Sequence, residues 1–414
     1  MNKSYLYQAA VMACLFLGAC SGDKTEEGKL EVIPLGAAFD QQTELKTSDC
    51  FKKIRYVPLE TTDSVLVGQG AWAVVLNDWI VVTSGRNLCQ LFDKQTGRFI
   101  RSIGHVGEDP EGYSTVHGGW QNPGTDKLFF PGWNGKMVAY GADGRFDHIW
   151  TPPIAAPAFP AVASFDYLGA DLIAGYYSAT DSVPARLALF RGDEIVSDRW
   201  LPIDMQGEKA VAPEDIAAIS VLRDGGDGVL IIKYKDNRSS ITSLGNACFW
   251  HNDGELYFRQ AFNDTIYQVS ADKELRPVRV LDPGAHAWTY NERFDDKKDA
   301  IYPTKFMENA DVILFRFMTN VYTDKGKTYN ALYRKADGTV KVYPFEEKIA
   351  DDLNGFLSLQ PISISSAGEF AALLPSEEVV QWFEDNAGKA DLPAAVSVLK
   401  KVGEEDNPVV VIME

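Results

Sequence analysis

The sequence predicts an all-β chain folded as one propeller of six four-stranded antiparallel blades, NHL-like in character, with a short helical segment near its C-terminus. Three observations predict it. Short apolar β segments alternate with Gly, Asn and Asp turns along most of the chain. The turn before the last strand of a unit recurs at Gly97, Gly144 and Gly192, a period of 47 and then 48 residues. A strand-like segment near the N-terminus, 54–60, lies outside the first unit and is available to close the ring.

The elements follow in order. In the first unit, 74–76 turns at Asn77-Asp78 into 79–82, then 88–92, a turn through Gly97, and 99–103. Tight turns of this kind join antiparallel neighbours. The last three strands recur as 127–130, 137–140 and 146–150, and again as 172–176, 187–190 and 195–200. Weaker copies follow at Ser270-Ala271-Asp272-Lys273 and Lys335-Ala336-Asp337-Gly338, which echo Gly141-Ala142-Asp143-Gly144. Their spacing lengthens to 80 and then 65 residues, so insertions are required, roughly 204–244 and 283–303. The count is six blades, or seven if the first insertion is itself a blade. A last unit runs from Leu357 through 371–374. Residues 376–386 read as a helix with Val379, Val380, Trp382 and Phe383 near one face. A second short helix over 392–402 and a strand over 408–413 complete the chain. Trp79, Phe92, Phe130, Tyr140, Phe190 and Phe258 repeat at blade positions and are expected between the sheets.

The first residues read as a targeting signal. Lys3 precedes an apolar run over 5–19 interrupted only by Gln8 and Gly18. That run is shorter than the roughly 20 apolar residues of a membrane span and suits a secretory signal. It ends in Leu17-Gly18-Ala19-Cys20, which resembles a bacterial lipobox. The expected organisation is a signal over 1–19, a lipidated Cys20 with a tether over 20–50, and the propeller over 51–414. Ser21 favours the outer membrane, facing the periplasm or the exterior. Beyond Cys14 and Cys20 only Cys50, Cys89 and Cys248 remain, with no CxxC pair and no histidine beside them. The net charge is −18 at pH 7, one unit more negative once Lys3 leaves with the signal. This disfavours nucleic acid and anionic membrane surfaces as partners.

Several motifs are familiar. Tyr56-Val57-Pro58-Leu59-Glu60-Thr61, the loop Gly104-His105-Val106-Gly107-Glu108-Asp109-Pro110-Glu111-Gly112-Tyr113, Phe262-Asn263-Asp264-Thr265-Ile266-Tyr267 and Glu405-Asp406-Asn407-Pro408-Val409-Val410 span the chain. With them the sequence resembles the six-bladed β-propeller lipoproteins of Gram-negative anaerobes, a family defined largely by a domain of unknown function. The resemblance implies fold and lipid anchoring. It carries no agreed activity and no catalytic residues.

The chemistry is sparse. The five histidines lack the spacing that sets two metal ligands on one face, and neither a GxSxG elbow nor a P-loop occurs. No metal and no cofactor is expected, and a non-enzymatic role is favoured. Loops between second and third strands share a face with the interblade connections, and that face is the expected ligand side. By position it collects Arg86, His105, Trp133, Asn134, Tyr176, Tyr177, Arg259 and Asn263. Asn134 and Asn263 each open a third strand, where asparagine also serves turn geometry. Flat aromatic rings with arginines and amides beside them suit sugars or peptides. The expected function is a binding or scaffold module at the cell envelope for a glycan, a peptide or an envelope protein. The alternative is a carbohydrate hydrolase or lyase on the same fold, since fold alone does not decide between them.

Overall fold

Each repeat folds as a meander whose strands lie in chain order, because its turns are too short for anything but antiparallel neighbours. The computed structural model describes residues 30–85, 88–169, 171–180, 183–201, 212–389 and 391–414. The expected signal, Cys20 and Arg86 lie outside the described residues. Blade 1 spans 72–102, blade 2 120–150, blade 3 163–200, blade 4 249–281 and blade 5 302–344. The turn that set the repeat has a physical reason. Gly97, Gly144, Gly192, Lys273 and Gly338 all have positive φ, between 56° and 80°. Glycine adopts that region without steric cost, and Lys273 shows why the fourth copy looked weaker.

Blade 6 is closed from both ends of the chain, as the sequence suggested. Ser363–Ile364, Phe370–Leu374 and Val409–Met413 supply its inner three strands. Ile54–Pro58 adds the outer strand, pairing Ile54 with Met413 and Pro58 with Val409. Between Leu374 and Val409 the chain forms helix α1 (Ser376–Asp385), a short helix Ala394–Ser397 and a 3-10 turn Val398–Lys401. Val379, Val396 and Leu399 from these are fully buried against the same blade.

The ring has six blades, and its packing proves the number. Six apolar cores lie between consecutive sheets. Leu91 meets Phe130 and Tyr140 between blades 1 and 2. Phe165 and Phe190 pack with Trp150 between blades 2 and 3. Tyr176 meets Phe258 between blades 3 and 4. Trp250 meets Phe306 and Phe315 between blades 4 and 5, Leu314 meets Phe370 between 5 and 6, and Val410 meets Phe92 between 6 and 1. Of the expected core aromatics only Trp79 is half-buried; the other five are buried.

The first insertion is therefore not a blade. Blade 3 packs directly on blade 4, which leaves no place between them. The inserted residues instead form a separate three-stranded sheet, Ile216–Asp224, Asp227–Tyr234 and Ser239–Leu244. It lies across the ring on the face of the interblade connections.

Residues 30–50 also depart from expectation. The expected tether over 20–50 is therefore corrected over 30–50, while its residues 20–29 lie outside the described residues. Glu31–Ile33 pairs parallel to the outer strand of blade 4, and Ile33 and Leu35 are fully buried. Glu31 accepts from the Arg279 guanidinium at 2.6 Å and from the Tyr333 hydroxyl. Ile33 and Leu35 share the buried face while Val32 between them is 53 % exposed, the alternation of a pleated strand and not of a polar tether.

Candidate functional site

The innermost strand of every blade presents its edge to the ring axis, so these strands decide what the channel contains. They contribute Trp72 and Val74, Trp120 and Gln121, Asp166 and Tyr167, Trp250 and His251, Lys305 and Phe306, and residues 362–366. Together they enclose a cavity of about 200 Å³. Large rings are held rigidly in this wall. Trp120 stacks on Phe129 at 4.0 Å, Trp250 on Phe306 at 4.4 Å, and Tyr167 on His251 at 3.8 Å. The Trp250 indole donates to Glu308 Oε2 at 2.7 Å, which fixes the ring's tilt. Glu308, fully buried, is in turn neutralised by Arg279 and Lys335.

One end of the channel is plugged. The hairpin tip at 224–227 of the inserted sheet sits over it. Gly118 N–H donates to Gly226 O at 2.9 Å, and Lys305 Nζ lies 3.4 Å from Asp227. Arg316, 1 % exposed, donates to Asp224 and to Pro361 O. Ser164 Oγ donates to Gly245 O at 2.7 Å. The tip is thus tied to blade 5 and to the connection entering blade 2, Arg316 bridges it to the connection entering blade 6, and the end of the sheet's third strand is tied to blade 3. Gly225 turns the tip with a φ of 65°, which glycine adopts without steric cost, and sets it against the Trp72 ring. Burial alone would push the Asp224 carboxyl up, but Lys305 and Arg316 overcome it and hold the group below the ordinary range.

The other end opens among the turns joining first and second strands. A depression of about 680 Å³ there is lined by His251 to Asp253, 308–310, 365–369 and Glu414. It shares His251, Ser365 and Ser366 with the channel. His251 is the distinctive group. Its Nε2 lies 3.1 Å from Asp166 Oδ1 at an angle that excludes a hydrogen bond, and both ring nitrogens are buried with no hydrogen-bond partner among the described residues. Among the described residues no three His, Cys, Asp or Glu side chains converge as a metal would require.

With the geometry known, comparison with other proteins becomes informative. The model of DUF4934, a domain of unknown function, matches residues 30–414. The chain belongs to this family. A protein of Bacteroides fragilis NCTC 9343 described as exported shares the fold, with a TM-score of 0.57 at 14 % identity over 92 % of this chain and 99 % of its own. A DUF4221 protein of Bacteroides vulgatus gives a TM-score of 0.41 at 9 % identity, covering 90 % of this chain and 98 % of its own. The RRP9 WD40 repeats give 0.38 at 11 % identity, covering 90 % and 99 %. No curated protein matches the chain.

Within this DUF4934 fold the described residues among those singled out in the sequence fall in four places. His105, Trp133 and Asn134 share the outer surface over blades 1 and 2. Trp133, 45 % exposed, donates from Nε1 to Gly107 O at 2.7 Å, and His105 pairs with Asp109 at 2.7 Å. Asn134 has φ 59°, so it serves the turn. Tyr177 is buried between blades 2 and 3 with its hydroxyl on Ile154 O. Asn263 caps its own turn, accepting from Thr265 N at 3.0 Å. Tyr176 and Arg259 are buried beside one another under the inserted sheet, both lining one small cavity. The seven described positions therefore do not form one aromatic platform. Adjacent strand residues point to opposite faces, so Tyr176 and Tyr177 enter two different cores. The channel residues His251, Trp72, Trp120 and Lys305 escaped the sequence reading. Their one signal was position at the start of a unit, which turn glycines near its end do not reveal.

Proposed function

We propose that this protein is an exported lipoprotein, anchored through Cys20 to the outer membrane, whose propeller binds a neutral or cationic glycan or peptide segment in its channel. The observation that supports this most is His251. It is a channel-lining imidazole with both nitrogens unpartnered, stacked on Tyr167 beside Asp166, in a wall of indole and phenyl rings. Rings of this kind offer apolar area to sugar C–H faces or side chains, and the buried imidazole nitrogens meet a ligand hydroxyl or amide once the Tyr167–His251 stack shifts. The ligand enters from the open depression, whose rim carries Asp253, Glu369 and Glu414 and so disfavours anions. The exported description of the Bacteroides fragilis neighbour agrees with an envelope location.

Purified protein is to be screened by calorimetry against neutral and cationic polysaccharides and peptides, then compared with His251→Ala and Trp133→Ala. The expected result is a loss of binding of tenfold or more in the first variant and little change in the second. The reverse pattern moves the site to the surface around Trp133. A second reading, a carbohydrate lyase with His251 as base and Asp166 beside it, rests on the same pair. Its mark is a shortened or unsaturated product on incubation, lost in His251→Ala. Release of Cys20→Ala into the soluble fraction tests the anchor; a variant that stays on the membrane after signal removal refutes it.

A further inference from the structure

Arg259 is buried and, among the described residues, has no ion-pair partner. It begins the loop after the second strand of blade 4 and is 5 % exposed. Its Nε has no hydrogen-bond partner, and the guanidinium forms no ion pair with any described residue. Asp264, on the same loop, feels its charge from a distance without pairing with it. An isolated buried cation is unfavourable, so a fold that retains one has a reason to. Burial pulls the guanidinium down from its ordinary value, although arginine stays charged throughout the physiological range.

The surroundings say what would satisfy it. Arg259 lines a cavity of about 30 Å³ together with Ser164, Ser178, Thr242, Ser243 and Tyr176, a set rich in hydroxyls. Ser178 Oγ accepts from Val162 N at 2.8 Å, which leaves its own proton free to donate. This recess adjoins a second cavity of about 80 Å³ through shared Tyr176, Ser178, Thr242 and Ala261. The second cavity is mainly apolar, with Pro160, Leu230, Ile232, Ile241 and Phe262 in its wall, while Ser240, Tyr290 and Arg293, whose guanidinium stacks on the Tyr290 and Phe294 rings, also line it. A cationic, hydroxyl-lined end thus continues into an apolar sleeve, roofed by the inserted sheet.

We propose that this pocket is a binding site for a small carboxylate with an apolar tail, its carboxylate on Arg259 and its tail along Leu230, Ile232 and Phe262. The site is distinct from the channel and does not depend on what the channel binds. A guanidinium meets a carboxylate through two parallel N–H donors, which a bare halide does not exploit, and the sleeve rewards carbon beyond the head group.

The test uses the full chain and sodium hexanoate, with 1-hexanol and sodium chloride at equal ionic strength as comparisons. Hexanoate is expected to raise the melting temperature in a saturable way and to give a calorimetric isotherm, while hexanol and chloride do not. Arg259→Met is expected to fold with an unchanged or higher melting temperature, since it removes an unpaired buried charge, and to weaken hexanoate binding at least tenfold. Arg259→Lys is expected to retain part of the binding. Equal effects of hexanol and hexanoate overturn the role of the guanidinium. A chloride effect matching that of hexanoate overturns the role of the sleeve. If Arg259→Met does not fold, the comparison of hexanoate, hexanol and chloride on the unaltered protein still decides.

Discussion

The ring and the inserted sheet are built from similar strands, yet they are held by different forces. Each ring interface buries large apolar side chains from two sheets, and rings such as Phe92, Phe190 and Phe258 have no exposed surface. The inserted sheet has only small clusters, one of Leu230, Ile232 and Tyr234 and one where Val229 and Ile241 meet Trp288 and Tyr302. Ile219, Val221 and Leu222 on its first strand remain about half exposed. Its position depends instead on Asp224 and Asp227 meeting Arg316 and Lys305. Apolar burial is non-directional and supports a repeated interface; an ion pair fixes one orientation of one element.

The comparison is broken most strongly in the ring. Phe258→Ala removes a fully buried ring from the contact of blades 3 and 4, and a loss of about 3–5 kcal/mol is expected for such a truncation. Chemical denaturation is expected to show one cooperative transition at lower denaturant. A second, separate transition would mean that the blades are independent units.

The next effect lies in the latch. Asp224→Asn leaves Arg316 buried with its charge partner gone, and breaking a buried pair in this way costs about 3 kcal/mol, the low end of the range because Asp227 still faces Lys305. The loss is expected as local opening. Hydrogen exchange is to accelerate over 216–244 while the ring strands keep their protection. Uniform acceleration everywhere would place the latch in the ring's own stability.

Acid sharpens the same contrast. Because the Asp224 carboxyl titrates below its unfolded value, which is about 3.9 for aspartate, its contribution is complete above that value. It is lost as pH falls through the still lower value of the folded protein. Exchange over 216–244 is therefore expected to be unchanged from pH 7 to pH 5 and to rise selectively below about pH 4. Opening already at pH 6 would point to a histidine such as His117, which stacks on Trp72 beneath the tip, in place of the carboxylate.

The smallest effect is expected at Trp133→Ala. The side chain is 45 % exposed and makes one hydrogen bond to Gly107 O, so a loss near 1 kcal/mol is expected from thermal denaturation. A drop of several kcal/mol would show that the 104–113 loop depends on this indole.

The repeat was legible because its cause is local. A turn needing positive φ demands glycine, and Gly97, Gly144 and Gly192 recorded it at a constant interval. The closing strand at Ile54–Pro58 and the helix at Ser376–Asp385 were legible for the same reason, since each shows its own pattern of apolar residues. The blade count was left between six and seven because 216–244 has the strand and turn pattern of a blade. What excludes it is the direct packing of Tyr176 on Phe258, a contact between residues 82 positions apart. The candidate site was hardest to read. His251 and Asp166 come from different blades, and nothing local to either announces the other.

By itself, then, the sequence determined the strands, their turns and the repeated interface, because these follow from backbone sterics and the two-residue alternation of a pleated strand. Only the tertiary structure decided that the insertion caps one end of the channel, that residues 30–50 join the fold, and that Arg259 is enclosed with no ion-pair partner among the described residues. Those outcomes depend on ring closure, which sets distant side chains at fixed distances from one another. The energy of a charge or an unpartnered polar group depends on that enclosure, not on its neighbours along the chain.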